Sequence, residues 1–97
     1  MHVKFKQWNC EIQFAKYSNG RTAIMLIDSE DGSPIAKATV NIPEVPLSEN
    51  EVIIKDYAEN IGMLETLVNA GVVEDTRKKV AAGRVSVPIV KLLIPIK

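Results

Sequence analysis

Side chains able to do acid–base, nucleophilic or metal chemistry are few in this chain and badly spaced for it. His2 is the only histidine and Cys10 the only cysteine. A histidine beside the first residue is rarely held with the accuracy that general acid–base catalysis needs. A zinc site would need further Cys or His ligands beyond Cys10, and the sequence supplies none in a workable pattern. Asp28-Ser29-Glu30-Asp31-Gly32 has the composition of a calcium loop but lacks its alternating register and distant glutamate. No phosphate-cradling glycine motif and no nucleophile elbow occurs. Asp56 with Glu59, or Glu59 with Glu65, would form an acid–base pair only if burial drove their pKa values apart. Their neighbours are polar, so solvated charge at a helix end is the better reading. The residues therefore point to no catalytic group, no cofactor and no metal, and to a binding function.

Two clusters could bind. Asp56, Tyr57 and Glu59 put an aromatic ring between carboxylates on a connector that leads from a strand into a helix. Loops held by rigid elements at both ends are common binding sites, and tyrosine joins apolar area to a polar tip. Arg77, Lys78, Lys79 and Arg84, extended by Lys91, form a basic strip across a turn. That strip could meet a polyanion, but the last third of the chain contains no aromatic residue to stack on bases. The charges are segregated along the sequence although they sum to zero. Residues 28–75 carry eleven acidic and two basic residues, whereas residues 76–97 carry six basic and no acidic ones. The folded surface is two-signed unless neighbouring elements neutralise each other.

The elements that must position these clusters can be read from periodicity. Trp8, Cys10, Ile12 and Phe14 alternate with polar residues as a half-buried strand. Val3 and Phe5 are out of phase with that set, so either a bulge lies near Lys6-Gln7 or a short separate strand comes first. Asn19-Gly20 marks a hairpin, and the apolar run Ala23–Ile27 suits a central strand covered on both faces. Asp28–Pro34 is a second turn, and Ile35–Ile42 resumes alternation as a third meander strand. Pro43–Asn50 is an extended crossing to a short strand at 51–55. Ile61, Leu64, Leu67 and Val68 then form a helical stripe over 61–70, with Asn60 as its cap and Gly71 as its stop. A last hairpin spans 73–93, and its apolar phase changes at Pro88, which suggests an edge strand or a bulge there. The expected core is Trp8, Cys10, Ile12, Phe14, Ile24, Leu26, Ala38, Val40, Ile53, Leu64, Leu67, Val68, Val73, Val85, Val87 and Leu92.

Together these elements make one α+β domain over residues 1–97: a small antiparallel sheet of about five to six strands with one helix packed on one face. Residues 1–9 hold no apolar signal core, and the apolar runs are far shorter than the roughly 20 residues of a membrane span. A lone cysteine suits a reducing cytoplasm.

Thr39-Val40-Asn41-Ile42-Pro43, Ile54-Lys55-Asp56-Tyr57-Ala58-Glu59-Asn60, Ala70-Gly71-Val72-Val73 and Gly83-Arg84-Val85-Ser86-Val87-Pro88 carry a resemblance. Over roughly residues 20–93 the chain resembles a family of small uncharacterised proteins of bacteriophages and bacterial mobile elements. The resemblance implies an accessory protein in the cytoplasm of a bacterial host. Such a protein would bind a host or phage protein, and could act by inhibiting a host function such as defence. Nucleic-acid binding through the basic strip is the alternative.

The core placement of Cys10 yields a first expectation. In the folded protein its thiol should be alkylated slowly at neutral pH; modification as fast as that of the unfolded chain would put it on the surface instead.

Overall fold

Asn19-Gly20 turns the chain between the two longest strands of the first sheet. In the computed structural model, which describes residues 1–94, Gly20 takes the left-handed conformation there (φ 86°). Its N–H donates to Tyr17 O at 2.9 Å, and Tyr17 N–H donates to Arg21 O at 2.8 Å. The hairpin joins β2 (Trp8–Lys16) to β3 (Thr22–Asp28) in the register Cys10↔Asp28 to Lys16↔Thr22. A separate short strand, β1 (His2–Phe5), precedes them and pairs with β2 through a tight reversal at Lys6-Gln7. That reversal explains the phase break, because it sends Val3 and Phe5 into the same core as Cys10 and Ile12. β4 (Pro34–Lys37) completes a four-stranded antiparallel sheet in the order β1-β2-β3-β4. The third meander strand is thus much shorter than the alternation through Ile42 suggests. At Ala38 the chain leaves β3, and Thr39 bridges Ile54 instead.

A second sheet, order β5-β7-β6, is built from β5 (Glu51–Ile53), β6 (Val73–Ala82) and β7 (Val85–Leu92). The phase change in the last strand has a different cause from the one expected. β7 is the central strand, covered on both faces, so both parities are buried. Val90 and Leu92 join the main core with Val52 and Val73. Val87 and Ile89 join a second cluster with Ile53, over which Val40, Ile42, Val45 and Leu47 are laid. The bulge lies in β6, where the register jumps between Asp75 and Lys78. Pro88 is tolerated in β7 because a strand residue turns its N and O to the same side. Its carbonyl accepts from Ile54 N–H at 3.0 Å, so the missing donor faces the end of β5, where the ladder stops.

The helix, α1, runs Met63–Asn69 and packs against β1 and β6. It starts later than the stripe predicts and is rotated relative to it. Asn60 does not cap it: that side chain is buried and donates to Lys37 O at 2.8 Å. Gly62 is the N-cap residue, with φ 97°, and has no side chain to offer. Asp56 substitutes for it at a distance, its Oδ1 accepting from Gly62 N–H at 3.1 Å and Leu64 N–H at 3.0 Å. With this start, Met63 and Leu67 point inward and are fully buried, and Leu64 is half-buried. Val68, about 100° further round the helix, is 37% exposed, and Ile61 is 66% exposed. Both leave the expected inward stripe. Trp8, Phe14, Val40 and Val85 are half-buried at the edges of the two clusters. Cys10 is buried, and burial pushes its thiol pKa up.

Helix orientation can be tested by two truncations read from urea unfolding. Leu67→Ala should cost about 2–5 kcal/mol, whereas Val68→Ala should stay within about 0.5 kcal/mol. A Val68→Ala cost as large as that of Leu67→Ala would restore the original stripe.

Candidate functional site

The connector Asp56–Asn60 is built mainly by hydrogen bonds within the protein. Asp56 holds the helix entrance, as described above. Tyr57 has extended backbone (φ −145°) and starts a 3-10 turn over Ala58–Asn60. Its half-buried ring packs on the second cluster, with the Lys55 ammonium 5.6 Å from the ring centroid. Glu59 is exposed. Its carboxylate meets Lys55 Nζ at 2.6 Å, and its backbone carbonyl accepts from Lys6 Nζ at 2.6 Å. The Lys55 ammonium holds the Glu59 carboxyl below its ordinary pKa. The three residues thus lie together on one connector, but Asp56 and the Tyr57 ring are partly committed to the fold.

The basic strip is divided by the bulge. Thr76 and Arg77 are inserted in β6 opposite no residue of β7, and Arg77 sits at φ 65°. Asp75 Oδ1 accepts from Arg77 N–H at 2.8 Å. Thr76 Oγ1 donates to Ile89 O at 2.6 Å and accepts from Lys78 N–H at 3.2 Å. Lys78 reaches across β7 to Glu51 at 2.8 Å on β5. Lys79 and Arg84 are exposed further along the hairpin. Arg21, which looks like one more surface cation, instead clamps the loop over the second cluster. Its guanidinium donates to Ile42 O at 2.8 Å and to Val45 O. The aromatic residues of the first sheet are also engaged: Trp8 and Phe14 pack on the main core, and Tyr17 bonds the Thr39 hydroxyl at 2.9 Å.

One surface was not singled out by its sequence. Ile61, Leu64 and Val68 form an apolar strip along a shallow groove between α1 and the β6 bulge, rimmed by Asp56, Glu65, Asp75 and Arg77. The available signal was a helix with more apolar residues than one inward stripe can use. Leu64 and Val68 form an i, i+4 pair beside the Met63 and Leu67 pair. Among the described residues, no group of three or more His, Cys, Asp or Glu is placed to hold a metal ion, and no helix is long and apolar enough to cross a membrane. Comparison with known proteins gives no matching family model, no matching curated protein and no matching solved structure.

The Glu51–Lys78 pair makes a pH-dependent contribution. The Lys78 ammonium, then the Ser48 N–H at 2.9 Å, hold the Glu51 carboxyl below its ordinary value of 4.5. A depressed folded-state pKa stabilises the fold above the unfolded value and is lost as pH falls through the folded one. The stability gap between the wild type and Glu51→Gln should therefore be full at neutral pH. It should close as the pH drops below 4.5 through the lowered value. Unfolding curves across that range check it, and a gap independent of pH would mean the pair is screened out.

Proposed function

We propose that this chain is a non-catalytic accessory protein that acts by binding another protein, and that the strip Ile61–Leu64–Val68 is the centre of its contact surface. The observation that carries this reading is the exposure of Ile61 and Val68 beside a half-buried Leu64, within a ring of charged residues. An apolar centre with a polar rim is the usual anatomy of a protein interface. Leu64 and Val68 lie on a helix whose entrance is locked by Asp56, and Ile61 directly precedes it, so little further ordering is needed to present the strip. Of the residues expected from the sequence, Asp56 lines this groove, and Tyr57 and Glu59 continue the same connector. The resemblance to proteins of bacteriophages and mobile elements supplies the setting. The partner would be a host or phage protein in the bacterial cytoplasm, and inhibition of a host function such as defence is one way binding would act.

The nucleic-acid reading through Arg77, Lys78, Lys79 and Arg84 is supported less well. Lys78 is already paired with Glu51, and the bulge turns Arg77 toward the helix groove, away from a continuous basic track.

Co-purification from nuclease-treated host extract separates the two. Ile61→Gln with Val68→Gln should reduce the captured protein at least about tenfold, which corresponds to about 1.4 kcal/mol, with the unfolding midpoint retained. Lys79→Ala with Arg84→Ala should leave capture nearly unchanged. If only the second pair loses its partner, and binding to nucleic acid falls steeply with salt, the strip is not the site and the alternative holds.

A further inference from the structure

The rim of the groove constrains what can occupy it. Three carboxylates line it, those of Asp56, Glu65 and Asp75, against the single cation Arg77. Hydrogen bonds from Gly62, Leu64 and Arg77 N–H satisfy oxygens of Asp56 and Asp75 but do not cancel their charge. Among the described residues, neither Glu65 nor Asp75 meets a cation within an ion pair; those pairs are Lys55–Glu59 and Lys78–Glu51. The groove is therefore an apolar floor in a negative field, and a partner must bring apolar side chains and positive charge together.

The backbone beside the groove limits the partner's conformation. β6 is an edge strand, the place where an extended peptide could add to a sheet. At the bulge, however, the Arg77 N–H already donates to Asp75 Oδ1, while the Lys78 N–H, on the β7 side, donates to Thr76 Oγ1. The register is also broken there. A bulged edge with a broken register disfavours strand addition. Contact must then be made through side chains, and a helix presents apolar residues at i and i+4 against a strip of this kind.

Resting on the protein-binding reading above, we infer that the groove takes a cationic amphipathic helix of the partner protein. Its apolar face covers Ile61, Leu64 and Val68, and its Lys or Arg residues face Glu65 and Asp75. Arg77, the lone cation of the rim, sets the orientation by requiring an acceptor at one end of that helix.

The test uses two amphipathic peptides of equal length, one of Leu and Lys and one of Leu and Glu, titrated into the folded full chain and followed by amide and methyl NMR shifts. The Leu/Lys peptide should shift Ile61, Leu64 and Val68, and should compete with the protein captured by co-purification. The Leu/Glu peptide should bind at least about tenfold more weakly. Glu65→Gln with Asp75→Asn removes both charges while keeping an amide oxygen for the Arg77 N–H. It should weaken Leu/Lys binding about three- to tenfold and flatten its salt dependence. Equal or tighter binding of the Leu/Glu peptide overturns the inference. So does an unliganded spectrum whose groove shifts depend on protein concentration, which would put a second copy in the groove. Loss of the captured partner in Ile61→Gln/Val68→Gln, with no binding of the Leu/Lys peptide, rejects the cationic helix but keeps the protein-binding surface. Capture unchanged in that double variant rejects the surface itself.

Discussion

Between Ala38 and Val40 the chain stops pairing with β3 and starts pairing with the end of β5, and the rest of the molecule follows from that change of partner. Ala38 N–H donates to Ile24 O at 2.8 Å, while Ala38 O accepts from Lys55 N–H at 2.8 Å. Val40 N–H donates to Ile53 O at 3.0 Å. Thr39, buried between them, supplies the bond that a continued strand would have made: its hydroxyl accepts from Ile24 N–H at 3.2 Å. A buried amide without a partner is costly, so this hydroxyl is what allows β4 to end where it does. The crossing links the two sheets and throws the following loop across the outer face of β5 and β7. Arg21 and Asn19, on the first hairpin, then pin that loop through Ile42, Val45 and Asn41.

The same crossing fixes the helix. Asn60 is anchored to Lys37 O beside it, and Asp56 binds the first helical amides. These two attachments determine where α1 starts and how it is rotated. Met63 and Leu67 are turned inward, and Val68, with Ile61 before the helix, is left at the surface. An exposed apolar strip is thus a consequence of how the connector is tied down. A residue such as Asp56 can shape a binding surface from its rim while its main work is structural.

Charge follows the same logic of local consumption. Part of the segregation in the sequence is cancelled by the ion pair between Lys78 and Glu51, while Lys55–Glu59 pairs within the acidic segment. Among what survives are a net negative rim around the groove and the exposed Lys79 and Arg84 on the hairpin. The β6 bulge separates these two regions, and by breaking the register it also blunts an edge that would otherwise invite strand pairing.

The sequence by itself determined the α+β class, the Asn19-Gly20 hairpin, the alternation that buries Cys10 and Ile12, and the glycine stop after the helix. Each depends on neighbours within a few residues, where periodicity and left-handed glycine positions speak directly. Only the tertiary structure decided the rest. Ile35–Ile42 alternates well enough for one strand, but Thr39 divides it because a distant strand end competes for its amides. Val87, Ile89, Val90 and Leu92 look like a phase error until a loop from residues 40–47 covers the second face of β7. The helix offers two apolar i, i+4 pairs of similar quality, and local pattern cannot choose between them. The choice was made by Asp56 and Asn60 bonding to groups that only the fold brings near, and with it the placement of the surface on which the functional reading rests.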